Sequence, residues 1–108
     1  MILNTVVPLD TILLNVNKLP WEYALYIPSQ MNEWSENTQC MVLDPDETDD
    51  PDDDPEAAKL NGFKYAFSVS ILQDIIHNLK NQNPRIDNKM SIKAIKHYYE
   101  HDSFLIVK

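Results

Sequence analysis

The stretch FKYAFSVSILQDIIHNLKNQ (63–82) contains the two patterns from which the fold is best predicted. Its first part carries apolar side chains at every second position, the period of a half-buried β-strand: Phe63, Tyr65, Phe67 and Val69. From Ser70 onward the apolar spacing changes to three and four, which is typical of an amphipathic helix. Ser70 and Gln73 also match a capping box. The stretch therefore predicts a strand followed at once by a helix.

The segments on both sides add further short elements. Helices are predicted at 8–20, at 55–62 with Gly62 as a left-handed end, and at 91–102; strands are predicted at 21–28, at 39–44 and, as a last short strand, at 103–108. Trp21 stands among apolar residues and is expected in the core. Residues 1–108 are therefore expected to form a single α+β domain, with about three short strands packed with about four helices.

Composition argues against several classes of protein. The single cysteine, Cys40, excludes an internal disulfide and a zinc–thiolate cluster, and it is expected to be a small buried side chain. No apolar run approaches the ~20 residues that a membrane-spanning helix needs. The N-terminal MILNTVVPLD has no basic region before its short apolar run, so no secretory signal is predicted. The expected location is the bacterial cytoplasm.

The charge of the chain is concentrated in one segment. The net charge is −8, and the segment DPDETDDPDDDPE (44–56) holds nine carboxylates and no basic residue. The other residues hold eight acids and nine bases, so the rest of the domain is nearly neutral. A nucleic-acid partner is disfavoured because its phosphates would be repelled by this segment. A basic protein surface or a cation is favoured instead.

Three interpretations of the acidic segment are open. An EF-hand loop is not supported, because counting from Asp44 or from Asp46 puts neither glycine at position six nor glutamate at position twelve. Weak calcium binding and a solvated loop that aids solubility are two alternatives. The third is a binding loop: three prolines favour an extended chain with about one carboxylate per 4 Å, close to the ~3.4 Å phosphate spacing of a nucleic-acid strand. A nuclease active site would relieve the mutual repulsion of these carboxylates.

Other polar motifs carry weaker signals. HYYEH (97–101) matches the H-x-x-E-H pattern, in which His97 and His101 would bind zinc and Glu100 would act as base. Such enzymes take a third ligand from further downstream, and only seven residues follow His101, so an enzyme is not predicted. The lysines of the C-terminal third are expected to form a solvated helix face, with a phosphate-binding patch or pairing with the acidic segment as alternatives: Lys89, Lys93 and Lys96. Trp34, in a polar loop, is expected either to cap a core edge or to anchor an interface.

A resemblance to a known group of proteins rests on three segments: LPWEYALYIP, CMVLDPDETDDPDDDPEAAKLNGFKYAFSV and SILQDIIHNLKNQNP. Their LPW opening, V-L-D-P acidic loop and glycine-ended short helix before a strand and an amphipathic helix resemble small acidic bacterial immunity proteins. These belong to toxin–immunity pairs, including those of contact-dependent growth inhibition. The resemblance implies a cytosolic protein that binds one secreted toxin domain made by kin. It does not imply the chemistry of that toxin.

We therefore predict a non-enzymatic immunity protein that binds a cationic toxin domain, with an RNase as the favoured toxin, and occludes its active-site cleft. The expected complex is a 1:1 heterodimer without cofactor, metal, nucleic acid or membrane. The alternative is an adaptor or regulator of another basic protein. The predicted partner-binding residues are an aromatic anchor and the carboxylates of the acidic segment: Trp34, Asp44, Asp46, Glu47, Asp49, Asp50, Asp52, Asp53, Asp54 and Glu56.

Overall fold

An antiparallel sheet forms the centre of the domain. The computed structural model describes residues 3–30, 33–47 and 55–106. Within these residues the strands are β1 (Val7–Pro8), β2 (Ala24–Pro28), β3 (Gln39–Leu43) and β4 (Phe63–Ser68), in the order β1-β3-β2-β4. The α+β class is confirmed with one strand more than expected, because the two-residue β1 pairs with β3. The last predicted strand is wrong as far as it is described, since residues 103–106 form no strand.

The helices confirm the number predicted. They are α1 (Leu9–Leu14), α2 (Glu56–Leu60), α3 (Val69–Gln82) and α4 (Asn88–His101), with short 3₁₀ turns at Val16–Lys18 and Pro45–Glu47. The two long helices, α3 and α4, pack together and bury apolar stripes at helical spacing, including Leu72, Ile76 and Ile95. None of the helices in the described parts of the chain combines the length and apolarity that crossing a bilayer requires.

Both faces of the two central strands, β2 and β3, are largely buried. Alternate residues of β2 and β3 point into the main core, which α1, α3 and α4 complete, and these include Leu25, Ile27 and Val42. The residues between them point to the opposite side, where α2 covers a second, smaller core: Ala24, Tyr26, Met41, Leu43, Ala58 and Phe63. Burial on both faces explains why β2 and β3 are continuous apolar runs without alternating polar residues. We call these two sides of the sheet the helix face and the α2 face.

A β-bulge in β4 corrects one prediction. Leu25 pairs with Phe67 but the next residue, Tyr26, pairs with Tyr65, so Ala66 is an extra residue on β4. The extra residue reverses the side to which the preceding side chains point. Phe67 therefore packs on the helix face, whereas Phe63 packs on the α2 face. The regular alternation of aromatic residues predicted the strand correctly. It also implied that these side chains share one face of the sheet, which is wrong because of the bulge.

The start of α3 also differs from the prediction. The N-cap is Ser68, whose Oγ accepts a hydrogen bond from the backbone N–H of Ile71 at 3.2 Å. Ser70 therefore lies inside the first turn. Gln73 does not complete a capping box, because its Nε2 donates to the carbonyl oxygens of Val16 and Leu19 at 3.0 and 3.2 Å. These bonds connect α3 to the chain that follows α1.

Two side chains of the N-terminal half test the predicted core. Cys40 is completely buried, as predicted, and burial raises the pKa of its thiol to about 12, which keeps it protonated and unreactive at neutral pH. Trp21 is 68% exposed, so the prediction of a core tryptophan is wrong. Trp21 precedes β2, and its backbone carbonyl accepts from the N–H of Ser70 at 3.3 Å while the indole lies outside. An apolar neighbourhood in sequence did not place it inside.

Gly62 ends the turn between α2 and β4 in the left-handed region predicted for it, with φ +72°. We expect Gly62→Ala to lower the free energy of unfolding by about 1 kcal/mol, because a Cβ is strained at this φ. Steric clash adds nothing, since no atom lies within 4 Å of the added Cβ. Urea unfolding measures the change. Gly62→Asn is the control and should cost less, because asparagine tolerates this conformation. An alanine variant as stable as the wild type would contradict the assignment.

Candidate functional site

The acidic segment (44–56) begins and ends at buried positions of the α2 face. On the N-terminal side, Leu43 at the end of β3 is completely buried. On the C-terminal side, Pro55 is buried as the N-cap of α2, and Ala58 packs into the second core one turn later. The sheet and α2 therefore hold both ends of the segment in defined positions.

The described carboxylates of the segment lie just outside these positions. The Oδ1 of Asp44 accepts a hydrogen bond from the N–H of Asp46 at 2.9 Å, which forms an Asx turn at the start of the 3₁₀ turn Pro45–Glu47. Asp46 is exposed, and so is Glu56 in the first turn of α2. The remaining predicted aspartates lie outside the described residues: Asp49, Asp50, Asp52, Asp53 and Asp54.

Trp34 lies elsewhere. Its loop joins β2 to β3, at the end of β3 opposite to Asp44, and its ring packs 5.7 Å from the ring of Tyr99 on the helix face. The half-buried indole lines a pocket of about 400 Å³ with Lys89 and Ile92 of α4. The contact with Tyr99 puts the indole at an edge of the main core. The structure does not bring Trp34 beside the described carboxylates.

Two exposed side chains of α2 and β4 are not among the predicted partner-binding residues. Leu60, the last residue of α2, is 78% exposed, and Tyr65 of β4 is 46% exposed. The Tyr65 ring packs edge-on against the ring of Tyr26 at 5.8 Å. The sequence indicated that Leu60 is exposed, because a spacing of four puts it on the same side of α2 as the charged Glu56. It did not indicate the direction of Tyr65, which depends on the bulge.

The basic residues of the C-terminal third form a separate surface. Lys89, Lys93 and Lys96 are exposed on α4, whose buried side packs on the helix face. Because α2 covers the opposite side of the sheet, the body of the domain separates these lysines from the exposed Glu56 at the start of α2. This arrangement favours the solvated helix face over pairing of these lysines with Glu56.

The histidines of α4 give no support to a metalloenzyme. The rings of His97 and His101 lie 4.6 Å apart, as expected for residues one turn apart. In residues 3–30, 33–47 and 55–106, however, no group of three or more histidine, cysteine, aspartate or glutamate side chains is arranged to hold a metal ion. The third ligand that the H-x-x-E-H pattern requires is missing from this part of the chain.

Comparison with other proteins places the chain in a family. Neither the curated proteins nor the solved structures contain a match to it. A family model described as "Domain of unknown function (DUF7716)" matches residues 6–107, which is almost the entire chain. The match includes all the strands and helices described above. The protein therefore belongs to the DUF7716 family.

Proposed function

We propose that this protein is a non-enzymatic immunity protein that binds a cationic toxin domain and occludes its active-site cleft. An RNase is the favoured toxin, the complex is a 1:1 heterodimer, and it forms in the cytoplasm. The observation that carries the proposal is the concentration of nine carboxylates in one segment of a chain that is otherwise nearly neutral. RNases bind a polyanion, so their clefts are lined with the positive charge that such a segment complements.

The described ends of the acidic segment support this role. Leu43 and Pro55 are buried, so the two ends of the segment are fixed on the domain. Because its ends are held, binding loses less conformational freedom than binding of a free acidic tail would. Asp46 and Glu56 extend the negative charge onto the exposed surface at the two ends.

The distribution of charge also supports electrostatic steering. Lys89, Lys93 and Lys96 of α4 are matched by Asp87, Glu100 and Asp102 on or beside the same helix. The excess negative charge of the chain therefore comes from the acidic segment, which would attract a cationic partner. This favours productive orientation during encounter and raises the association rate.

The alternative function is that of an adaptor or regulator that uses the same segment to bind another basic protein. Gene context distinguishes the two. A toxin gene directly upstream is expected for an immunity protein. A gene neighbourhood without a toxin would favour the adaptor.

The test mixes the purified protein with the toxin domain encoded directly upstream of its gene. We expect a 1:1 complex by light scattering and complete loss of RNA cleavage at an equimolar ratio. A basic RNase of unrelated sequence is the specificity control and should remain active. If the upstream toxin domain keeps its activity in the presence of excess folded protein, the proposed function is wrong.

A further inference from the structure

We propose that the outer edge of β4 and the C-terminal end of α4 bind an extended segment of another protein. The segment adds to the sheet as a strand and places an arginine or lysine side chain in a pocket between β4 and α4. None of the residues that form this surface belongs to the acidic segment (44–56), so the inference goes beyond the proposed function.

A pocket of about 240 Å³ lies at the outer edge of β4. The bulge directs Tyr65 and Phe67 to opposite sides of the sheet, so a pocket that both residues line lies at the edge of the strand and not over either face. Its volume is below the roughly 300–1,000 Å³ of typical small-molecule sites, which suits a single side chain. We call it the edge pocket, and its walls include the following residues: Tyr65, Ala66, Phe67, Tyr98, Tyr99 and Asp102.

The edge of β4 is suited to pairing with a further strand. In the order β1-β3-β2-β4 it is the long edge strand, with six residues against two in β1, and within residues 3–30, 33–47 and 55–106 it pairs with β2 alone. Backbone N–H and C=O groups on the outer side of an edge strand bind an extended chain by strand addition. Ala66 in the bulge is only partly buried, so the backbone beside the edge pocket is accessible.

Self-association through this edge is disfavoured. Lysine residues and bulges on an edge strand prevent pairing with a long, flat strand, and β4 carries both, at Lys64 and at Ala66. Two copies of a chain with a net charge of −8 also repel each other. A short segment of a different protein avoids both difficulties.

The edge pocket favours a positively charged side chain. Asp102 ends α4 in the left-handed conformation (φ +58°), and its N–H donates to the carbonyl oxygen of Tyr98 at 2.7 Å, which fixes it at the end of the helix. Its carboxylate and the negative end of the dipole of this 14-residue helix both attract cations. The faces of tyrosine rings do the same.

One contact within the chain already shows a cation at these rings. The Nζ of Lys64 lies 5.6 Å from the centroid of the Tyr99 ring. Lys64 is not among the residues that line the edge pocket, which leaves the pocket to a cation from outside. A free ammonium or guanidinium ion would fill the pocket but leave the edge of β4 unpaired. A basic residue on an extended chain satisfies both.

The experiment selects binders from short random peptides displayed on phage, with the full-length protein as the target. The library is first depleted on the double variant Tyr65→Ser/Asp102→Asn. This variant keeps the acidic segment, so peptides that bind there are removed. We expect the remaining binders to share an arginine or lysine flanked by β-branched residues, which favour strands. If no peptide binds the wild type better than the folded double variant, the inference is wrong.

Two measurements with one selected peptide test how it binds. Asp102→Asn should raise Kd about three- to fivefold at low salt, the range of an exposed ion pair, and asparagine tolerates the left-handed conformation. The matched control is Glu100→Gln, an exposed carboxylate of α4 outside the edge pocket, which should leave Kd unchanged. Equal effects of the two substitutions would contradict a cation in the edge pocket.

Methylation of the peptide backbone tests strand addition. Alternate N–H groups of a strand point to the same neighbour, so methylating one alternate set should weaken binding more than tenfold and methylating the other set should not. Equal effects of the two sets, or equally tight binding of free arginine, would exclude strand addition. A wild-type dimer in light scattering that Tyr65→Ser dissociates would assign the edge to a second copy and overturn the proposal. These outcomes do not involve the toxin domain, so they leave the proposed function untouched.

Discussion

Ile95→Ala is expected to lower the free energy of unfolding by about 3 kcal/mol. Ile95 is completely buried on α4, where the main core joins the helix to the sheet. Removing buried methyl groups loses their transfer free energy and leaves a cavity that the surrounding side chains fill only in part, which together cost about 2–5 kcal/mol. The higher helix propensity of alanine offsets only a few tenths of a kcal/mol. Urea unfolding followed by circular dichroism measures the change.

The control for this prediction is a larger truncation at an exposed position. Trp21→Ala removes more atoms than Ile95→Ala, but its side chain is 68% exposed. Its backbone hydrogen bond with Ser70 is retained in the variant. We expect a change within about 0.5 kcal/mol. A loss for Trp21→Ala as large as that for Ile95→Ala would mean that the indole belongs to the core, as its sequence neighbours suggested.

The periodicity of apolar residues predicted most of the strands and helices, because burial on one side imposes a period of two or of about 3.6 on the sequence. It could not predict the bulge at Ala66. Tyr65 and Phe67 are two residues apart in the sequence whether or not Ala66 is paired in the sheet. Nor could it distinguish Ser68 from Ser70 as the N-cap of α3. Both serines precede the same apolar stripe, and the end of β4 decides between them.

The charge of the candidate site could be read from composition, since a run of carboxylates is a local feature of the sequence. The positions of the exposed and half-buried aromatic side chains could not. Trp34 is close to the acidic segment in sequence, but β3 separates it from Asp44 and carries it to the helix face. Tyr65 is more distant in sequence and reaches the α2 face through the bulge. Two residues that are close in sequence are therefore not close in space when an extended strand lies between them.

Neutralising four carboxylates of the acidic segment is expected to slow association with the toxin domain about tenfold at low salt. The variant carries asparagine at four positions: Asp49, Asp50, Asp52 and Asp53. Clustered charge of one sign raises association rates about 10- to 1,000-fold over the uncharged case, and the effect falls steeply as salt screens it. The variant should therefore also show a flatter dependence of association rate on salt concentration. Stopped-flow mixing over a series of salt concentrations measures both, and the dissociation rate should change much less.

The control for this variant changes the same total charge elsewhere. Four exposed carboxylates outside the segment are replaced by their amides: Glu22, Glu33, Asp74 and Glu100. Both variants have a net charge of −4 instead of −8, so a difference between them reports the position of the charge. We expect the control to associate at close to the wild-type rate, because its carboxylates are scattered and each is largely screened beyond about 8 Å. If both variants slow equally, the steering comes from net charge, and the acidic segment has no special role in binding.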